Sequence, residues 1–334
     1  MTGPRCARRP GGREEGMALL TVLMLVGVMG ALTVITLERM NRALAMTTNS
    51  RSAAQGHHYA RGAALVAAER IETMLAELEG PLTLAGGWEE APMTVPTAGG
   101  AITIRLSDAS HCFNVNGLVT GSPGGATRMR PDAITQFAGL ARGVGIGAQR
   151  AQQMAMSLVD YIDSDTYPQA GGAEDGAYSG YRAPNMPVAA TGELMAVANW
   201  NAADYELLKP FLCALPTTDM QPINVNTLSE ADAPLLGMLV PSGVSVAAAR
   251  RLIAGRPAAG WGSQAEFWAD ARAIGAMPLA RAQYQVDVTS NLFRADIEVE
   301  DGGFAVRESA LIRLGGAAGE GGAHILRRSW SGAA

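Results

Sequence analysis

From Met17 to Leu37 the chain runs for 21 residues without a charge, and an arginine-rich leader stands directly before that run. At 1.5 Å rise per residue, such a run makes about 31 Å of helix, enough to cross the hydrocarbon core of a bilayer. Arg5, Arg8, Arg9 and Arg13 lie on the leader side, which favours keeping that end in the cytoplasm. A secretory signal peptide carries its cleavage site after the apolar stretch. Here the candidate processing point, Gly16-Met17, lies before it. Cutting there removes the charges and leaves a transmembrane helix over 17–37 on the mature protein.

The following segment continues the helix. Glu38 to Glu79 contains no proline and spaces Met40, Leu44, Leu65, Ile71, Met74, Leu75 and Leu78 close to a helical period. Gly80-Pro81 then ends it. A charged leader ending in glycine, an uncharged run, and a helix half in lipid and half on a globular head resemble the type IV pilin-like proteins and their prepilin peptidase site. A plain single-pass anchor is the other reading of the same residues. Most pilin-like proteins place a glutamate at the fifth mature position, whereas this chain has Thr21 there. An unpaired carboxylate at bilayer depth is costly, and in a filament a neighbouring subunit's amino terminus offsets that cost. A subunit without it suits the end of a filament better than its body.

Charge and cysteines narrow the function. The net charge is −5, and loss of the leader's four Arg and two Glu would take it to about −7, a poor basis for nucleic-acid binding. Cys6 would leave with the leader, so Cys112 and Cys213 remain. Outside the cytoplasm such a pair is expected to bridge. Closing about 100 residues is worth on the order of 4–5 kcal/mol by chain-entropy arithmetic. Two separate buried thiols are the alternative. His57, His58, His111 and His324 form no ligand pattern, and no Gly-x-Ser-x-Gly or His-Glu-x-x-His motif occurs. The chain does not read as an enzyme.

The head has strands at both ends and helices between, an α+β organisation. Ala101 to Leu106 alternates as a half-buried strand, and Phe113 to Asn116 reads as a short second one. Gln285 to Thr289, Phe293 to Val299, Phe304 to Leu314 and His324 to Trp330 make a C-terminal antiparallel meander, turned at Gly302-Gly303. The expected divisions are 1–16 leader, 17–37 membrane helix, 38–117 helix and first strands, 118–282 helical insertion, and 283–334 closing strands. The insertion hints at repetition: helices over 134–162 broken at Gly143 to Gly147, then helices over 229–239, 246–253 and 263–271 after Ile223-Asn224-Val225-Asn226-Thr227. That opening resembles helix-hairpin-helix modules, with Pro241-Ser242-Gly243-Val244 as a loose hairpin and Arg250, Arg251 and Arg256 nearby. A nucleic-acid-binding or DNA-uptake pilin is therefore the alternative function.

One constellation carries metal chemistry. Asp160, Asp163, Asp165, Glu174 and Asp175 fall within sixteen residues. Asp160 and Asp163 share a face at a helix C-terminus, where carboxylates are disfavoured. Taking Asp163 as position one, Asp165 and Glu174 fall at three and twelve, but Tyr167 and Pro168 exclude an EF-hand. Oxygen ligands in a Gly-rich loop suit calcium rather than zinc, and the expected ligands are Asp163, Asp165, Glu174 and Asp175. A solvated acidic turn is the alternative.

In chain order, the Gly16 to Leu23 junction, the run Asp108 to Asn116, Leu158 to Asp165, Gly172 to Asp175, Leu207 to Pro216 around Cys213, and Ile223 to Thr227 resemble the type II secretion system minor pseudopilin K family. The missing glutamate is typical of that family. The resemblance implies a pilin-like helix packed on an antiparallel sheet, a large helical insertion, bound calcium, and cleavage after Gly16 with methylation of Met17. It further implies a single-pass place in the inner membrane with a periplasmic head. Its partners would be minor pseudopilins I and J at the pseudopilus tip, with contacts to minor pseudopilin H, the major pseudopilin and prepilin peptidase. The tip complex would start assembly and limit length, in support of export of folded proteins.

Overall fold

The computed structural model describes residues 14–121, 125–240, 244–278, 281–302, 304–315 and 322–331. The rest of the expected leader, 1–13, lies outside these. Helix α1 runs unbroken from Glu14–Ala76, 63 residues, or roughly 95 Å at the α-helical rise. Its apolar first part is exposed throughout and is long and apolar enough to cross a membrane.

From Gly56 onward α1 lies on the head; of its large residues Ile71 is buried and Met74 and Leu75 pack against the core, but most of the buried face is alanine. Leu65 is 64% exposed, whereas Ala60, Ala63, Ala64, Ala67, Ala68 and Ile71 are buried. Small side chains let the helix axis approach a sheet whose own branched residues fill the space. Gly56 shows how closely: an added Cβ would lie 2.7 Å from both Phe304 Cε2 and Val306 Cγ2. The helix ends three residues earlier than the expected Glu79, and the chain turns at Gly80 with φ +128°.

Beyond it come strands β1 (Met93–Pro96) and β2 (Gly100–Asp108), then the two-residue β3 (Phe113–Asn114), β4 (Val119–Thr120) and β5 (Arg128–Met129). Helices α2 (Pro131–Gly143), α3 (Ala148–Ile162) and α4 (Ala202–Leu208) precede the short strands β6 (Leu212–Cys213) and β7 (Ile223–Asn224). Helices α5 (Ala233–Leu239), α6 (Val246–Ala254) and α7 (Gln264–Ala273) follow. Strands β8 (Val286–Asp287), β9 (Leu292–Asp301), β10 (Phe304–Leu314) and β11 (Ala323–Ser331) close the described chain.

The main sheet has the order β1-β2-β9-β10-β11, antiparallel throughout. Ile102 and Ile104 on β2, Ile297 and Val299 on β9, and Ala310 and Ile312 on β10 alternate toward α1 and form one core with it. The edge strand β1 was not legible from its sequence; Pro96 marks it as an edge, because proline cannot donate to a ladder.

A second, larger core belongs to the helical region, and it draws in Phe113 and Val115 from one side and Val286 from the other. Phe113 to Asn116 is only half a strand: after Asn114 the chain tightens into a 3-10 turn, Val115–Leu118, because the Asn114 side chain accepts from the Asn116 amide. Two parallel bridges, β3 with β6 and β7 with β8, each open on an Asn-Val-Asn triplet. Asn116 and Asn226 play the same part in each. Asn116 bonds Val188 through both ends of its amide, and Asn226 bonds Trp261 the same way. Each helical stretch of the expected repetition, α2–α3 and α5–α6, thus follows one backbone-stapling Asn-Val-Asn triplet. Ser245 and Ser263 cap α6 and α7 through the amides of Ala248 and Glu266.

Candidate functional site

α3 brings the acidic segment to the surface of the helical region. Its apolar face, including Leu158, Val159 and Ile162, is fully buried, so the helix end is fixed. The next residue, Asp163, donates its amide to Val159 O at 2.8 Å and is only 1% exposed. Asp160 is completely buried, and its carboxylate accepts from the Gln169 amide at 3.0 and 3.1 Å. The loop closes tightly over it: a Cβ on Gly172 would lie 2.0 Å from Asp160 Oδ2. Burial raises the Asp160 pKa, and the amides of Gln169 and Ala173 pull against that rise.

Three of the four expected ligands are gathered by this loop. One carboxylate oxygen from each of Asp163, Asp165 and Glu174 lies within 4.8 Å of the others. Asp163 Oδ1 and both Glu174 oxygens are buried with no hydrogen-bond partner. Burial pushes the Asp163 carboxyl up to about 7, with further contributions from Asp165, Asp160 and Glu174. Burial likewise raises Glu174, reinforced by Asp160, Asp165 and Asp175. Buried, unpartnered oxygens that repel one another are a poor solvated turn. They fit a hard cation, and the absence of His and Cys among the three favours oxygen-binding metals.

Asp175 stands apart from the three. Its Oδ1 accepts from the Ala183 amide at 3.1 Å, and its Oδ2 faces Arg182 Nε at 3.8 Å. One contributor escaped sequence reasoning. Asn185 donates through Nδ2 to the Asp165 carbonyl at 2.8 Å, keeps a buried Oδ1 without a partner, and has φ +49°. Asparagine tolerates that left-handed backbone, which was its only signal.

The other acidic centre lies where the sheet meets the helical region. Asp108, at the end of β2, is buried and accepts from the Ser110 amide at 2.8 Å, from Thr227 Oγ1 at 2.6 Å, and from Ser290 Oγ. His111 Nε2 lies 2.8 Å from Thr227 Oγ1. Beside it, Glu89 accepts from the Asp108 amide at 2.7 Å, and burial raises its pKa. Every oxygen of Asp108 has a protein donor. The disulfide Cys112–Cys213 forms nearby, with Cα atoms 5.6 Å apart, and ties the ends of β3 and β6 as the two cysteines predicted.

At the other end of the molecule, Gly16 and Met17 fall within α1, and the Met17 side chain is exposed. Thr21 donates its hydroxyl to the carbonyls of Ala18 and Met17, at 2.8 and 3.2 Å. It is satisfied within its own helix and calls for no partner from another chain.

The nucleic-acid alternative finds no support. Arg256 donates to the carbonyls of Val225 and Leu228, so it braces the Asn-Val-Asn turn rather than facing a ligand. The hairpin residues 241–243 lie outside the described residues.

Two family models match the chain, both described as type II secretion system (T2SS), protein K, over residues 111–217 and 223–289. Type II secretion system protein K of Pectobacterium carotovorum subsp. carotovorum is 31% identical over 312 residues, covering 91% of this chain and 94% of the relative. That of Klebsiella pneumoniae is 32% identical over 309 residues, with the same coverages. Among solved structures, a chain of the GspK-GspI-GspJ complex from the enterotoxigenic Escherichia coli type 2 secretion system superposes with a TM-score of 0.71. It is 28% identical and covers 86% of this chain and 99% of its own.

Proposed function

The chain belongs to the type II secretion system protein K family and is thus a minor pseudopilin, and from that premise we propose that it joins minor pseudopilins I and J in a pseudopilus-tip complex. The likeness to a chain of the GspK-GspI-GspJ complex, over nearly the whole of that chain, carries this reading. In such a complex α1 supplies the handle: its first turns lie in the inner membrane before assembly and against neighbouring helices afterwards. The head, wide because of its helical insertion, sits on the periplasmic side and caps the filament. Minor pseudopilin H and the major pseudopilin follow below. The role is architectural rather than enzymatic. Copurification of the full-length protein with minor pseudopilins I and J of its own secretion system tests it; a protein that stays alone with both partners present sinks it.

Maturation belongs to the same reading. Prepilin peptidase cuts after Gly16, and Met17 becomes the methylated amino terminus. Replacing Gly16 is expected to leave the longer, unprocessed chain in intact-mass measurement of membrane-extracted protein.

The acidic loop is the calcium site of this reading. Asp163, Asp165 and Glu174 hold the ion, and Asn185 Oδ1 and loop carbonyls are at hand to complete an oxygen shell. What supports it is the three buried carboxylate oxygens left without partners. The ion's charge would offset their mutual repulsion and fix the loop 163–185 on the head.

A further inference from the structure

The main sheet has two faces, and α1 covers only one of them. On the other face, two hollows of about 250 and 270 Å³ share Asp296 and Ser309 and so form one cleft along the strands. Its inner end lies under Cys213 and Leu215, at the base of the helical region. Arg105, Arg294, Arg307 and Arg327 line it, against Asp296, Glu298 and the buried Glu308, which pairs with Arg328 at 3.5 Å. That is a local excess of cation on a chain whose net charge is −5.

The four guanidinia are not equivalent. Arg307 is neutralised by Glu298, through bonds of 2.8 and 2.6 Å. Arg327 donates to the carbonyls of Ala189 and Ala214, which fixes its position but leaves its charge uncompensated. Arg105 and Arg294 are exposed and have neither a hydrogen-bond nor an ion-pair partner among the described residues. Guanidinium groups lining a cleft with free donor pairs suit bidentate capture of carboxylates.

We propose that this cleft is a docking site for an extended acidic peptide segment, whose carboxylates pair with Arg294 and Arg105 beside the fixed Arg327. From Arg294 to Glu298 the floor is about 13 Å long at the rise of a strand, the length of a few extended residues. A phosphate backbone carries a charge at every nucleotide and would meet Asp296 and Glu298 on that floor, whereas a peptide can carry carboxylates only where Arg294 and Arg105 meet them. A bilayer surface is too flat to enter a recess walled by the helical region. The cleft opens on the face of the sheet turned away from α1. The segment therefore belongs to a polypeptide met on the outer face of the head, and the inference stands independently of the tip complex.

Fluorescence anisotropy on the full-length, disulfide-intact protein in detergent tests this, with a labelled peptide of alternating Glu and Val at low salt. The Glu peptide is expected to bind about tenfold or more tightly than its Gln counterpart, with affinity falling as salt rises. Arg294→Gln and Arg105→Gln should each weaken it about fivefold or more at unchanged melting temperature, whereas Arg250→Gln, on the exposed side of α6, should not. Equal binding of the Glu and Gln peptides, an Arg294→Gln protein that binds normally, or no binding at millimolar peptide overturns the proposal. So does stronger competition by an oligonucleotide or by anionic vesicles than by unlabelled peptide.

Discussion

Asp108 and Asp163 are both buried carboxylates close to the ends of regular elements, yet they stand in opposite conditions. Asp108 receives a donor at each oxygen, from Ser110, Thr227 and Ser290, and these donors come from both halves of the head. Asp163 has an oxygen with no donor and three other carboxylates pressing on it. A buried charge is stable where the protein supplies its partners, and costly where it does not. The first site is thus finished by the chain itself, and the second, on the reading proposed above, is finished by a bound cation. One joins residues of both cores; the other leaves buried oxygens unpartnered.

Breaking the finished site should have the largest effect. Asp108→Ala leaves the Ser110 amide and the Ser290 hydroxyl without acceptors and leaves the Thr227 hydroxyl only the Asn224 carbonyl at 3.2 Å. The loss should cost about 3 kcal/mol or more, or about 6–12 °C in melting temperature. Calcium should not restore it. If thermal melts of Asp108→Ala match the wild type, the junction is not held by this network.

The receiving site should answer to calcium instead. At a hundredfold excess over its dissociation constant, calcium should stabilise the protein by about 2.7 kcal/mol, a rise of about 5–10 °C over a chelator reference. Asp163→Asn should abolish that response. In chelator it should leave the protein as stable as wild type or more so, because it removes a buried, repelled charge. That sign is the reverse of the one at Asp108, and a loss of stability in both would collapse the contrast.

A smaller effect follows from pH. The Asp163 carboxyl stands at about 7 in the folded protein, above the ordinary 3.8. The native state therefore holds a proton there that the unfolded chain has already lost. In chelator, stability should fall as pH rises from about 4 to about 7 and then level off. Saturating calcium, which favours the ionised form, should flatten that decline. Melting curves across this range in Asp163→Asn provide the reference, and an identical slope there would remove Asp163 as its source.

The fold was legible where a single period governed the residues. The alternation in β2, β9 and β10 and the uncharged run of α1 each carry one signal over many positions. What stayed hidden depended on partners far away in sequence. Ile71, Met74 and Leu75 lie on the core side of α1 as their spacing suggests, but Leu65 outweighs Ala64 on any hydrophobic scale, and the close approach of Phe304 and Val306 at Gly56 explains the choice of alanine. The Asn-Val-Asn triplets could be seen, but their bonds to residues such as Val188 and Trp261 could not. Within the acidic loop, residue types pointed to oxygen donors, and spacing picked out the three carboxylates that the fold brings together. The direction of Asp175 was set by Arg182 and Ala183, which no spacing rule includes.

Asp175 thus supplies the finest test of how a loop divides its carboxylates. Its partner Arg182 is largely exposed, with 86% of its side chain accessible, and exposed pairs contribute about 0–1 kcal/mol. Asp175→Asn should therefore shift the melting temperature by no more than a few degrees in chelator. If Asp175 only adds negative field near the ion, calcium affinity should fall by about threefold or less, and the fall should shrink with salt. Direct coordination would instead cost far more and would be insensitive to salt, since a ligand oxygen is lost outright. Titration calorimetry of Asp175→Asn against Glu174→Gln separates these cases. A loss as large as that of Glu174→Gln would place Asp175 among the ligands, and the bond to Ala183 would then have to give way when calcium binds.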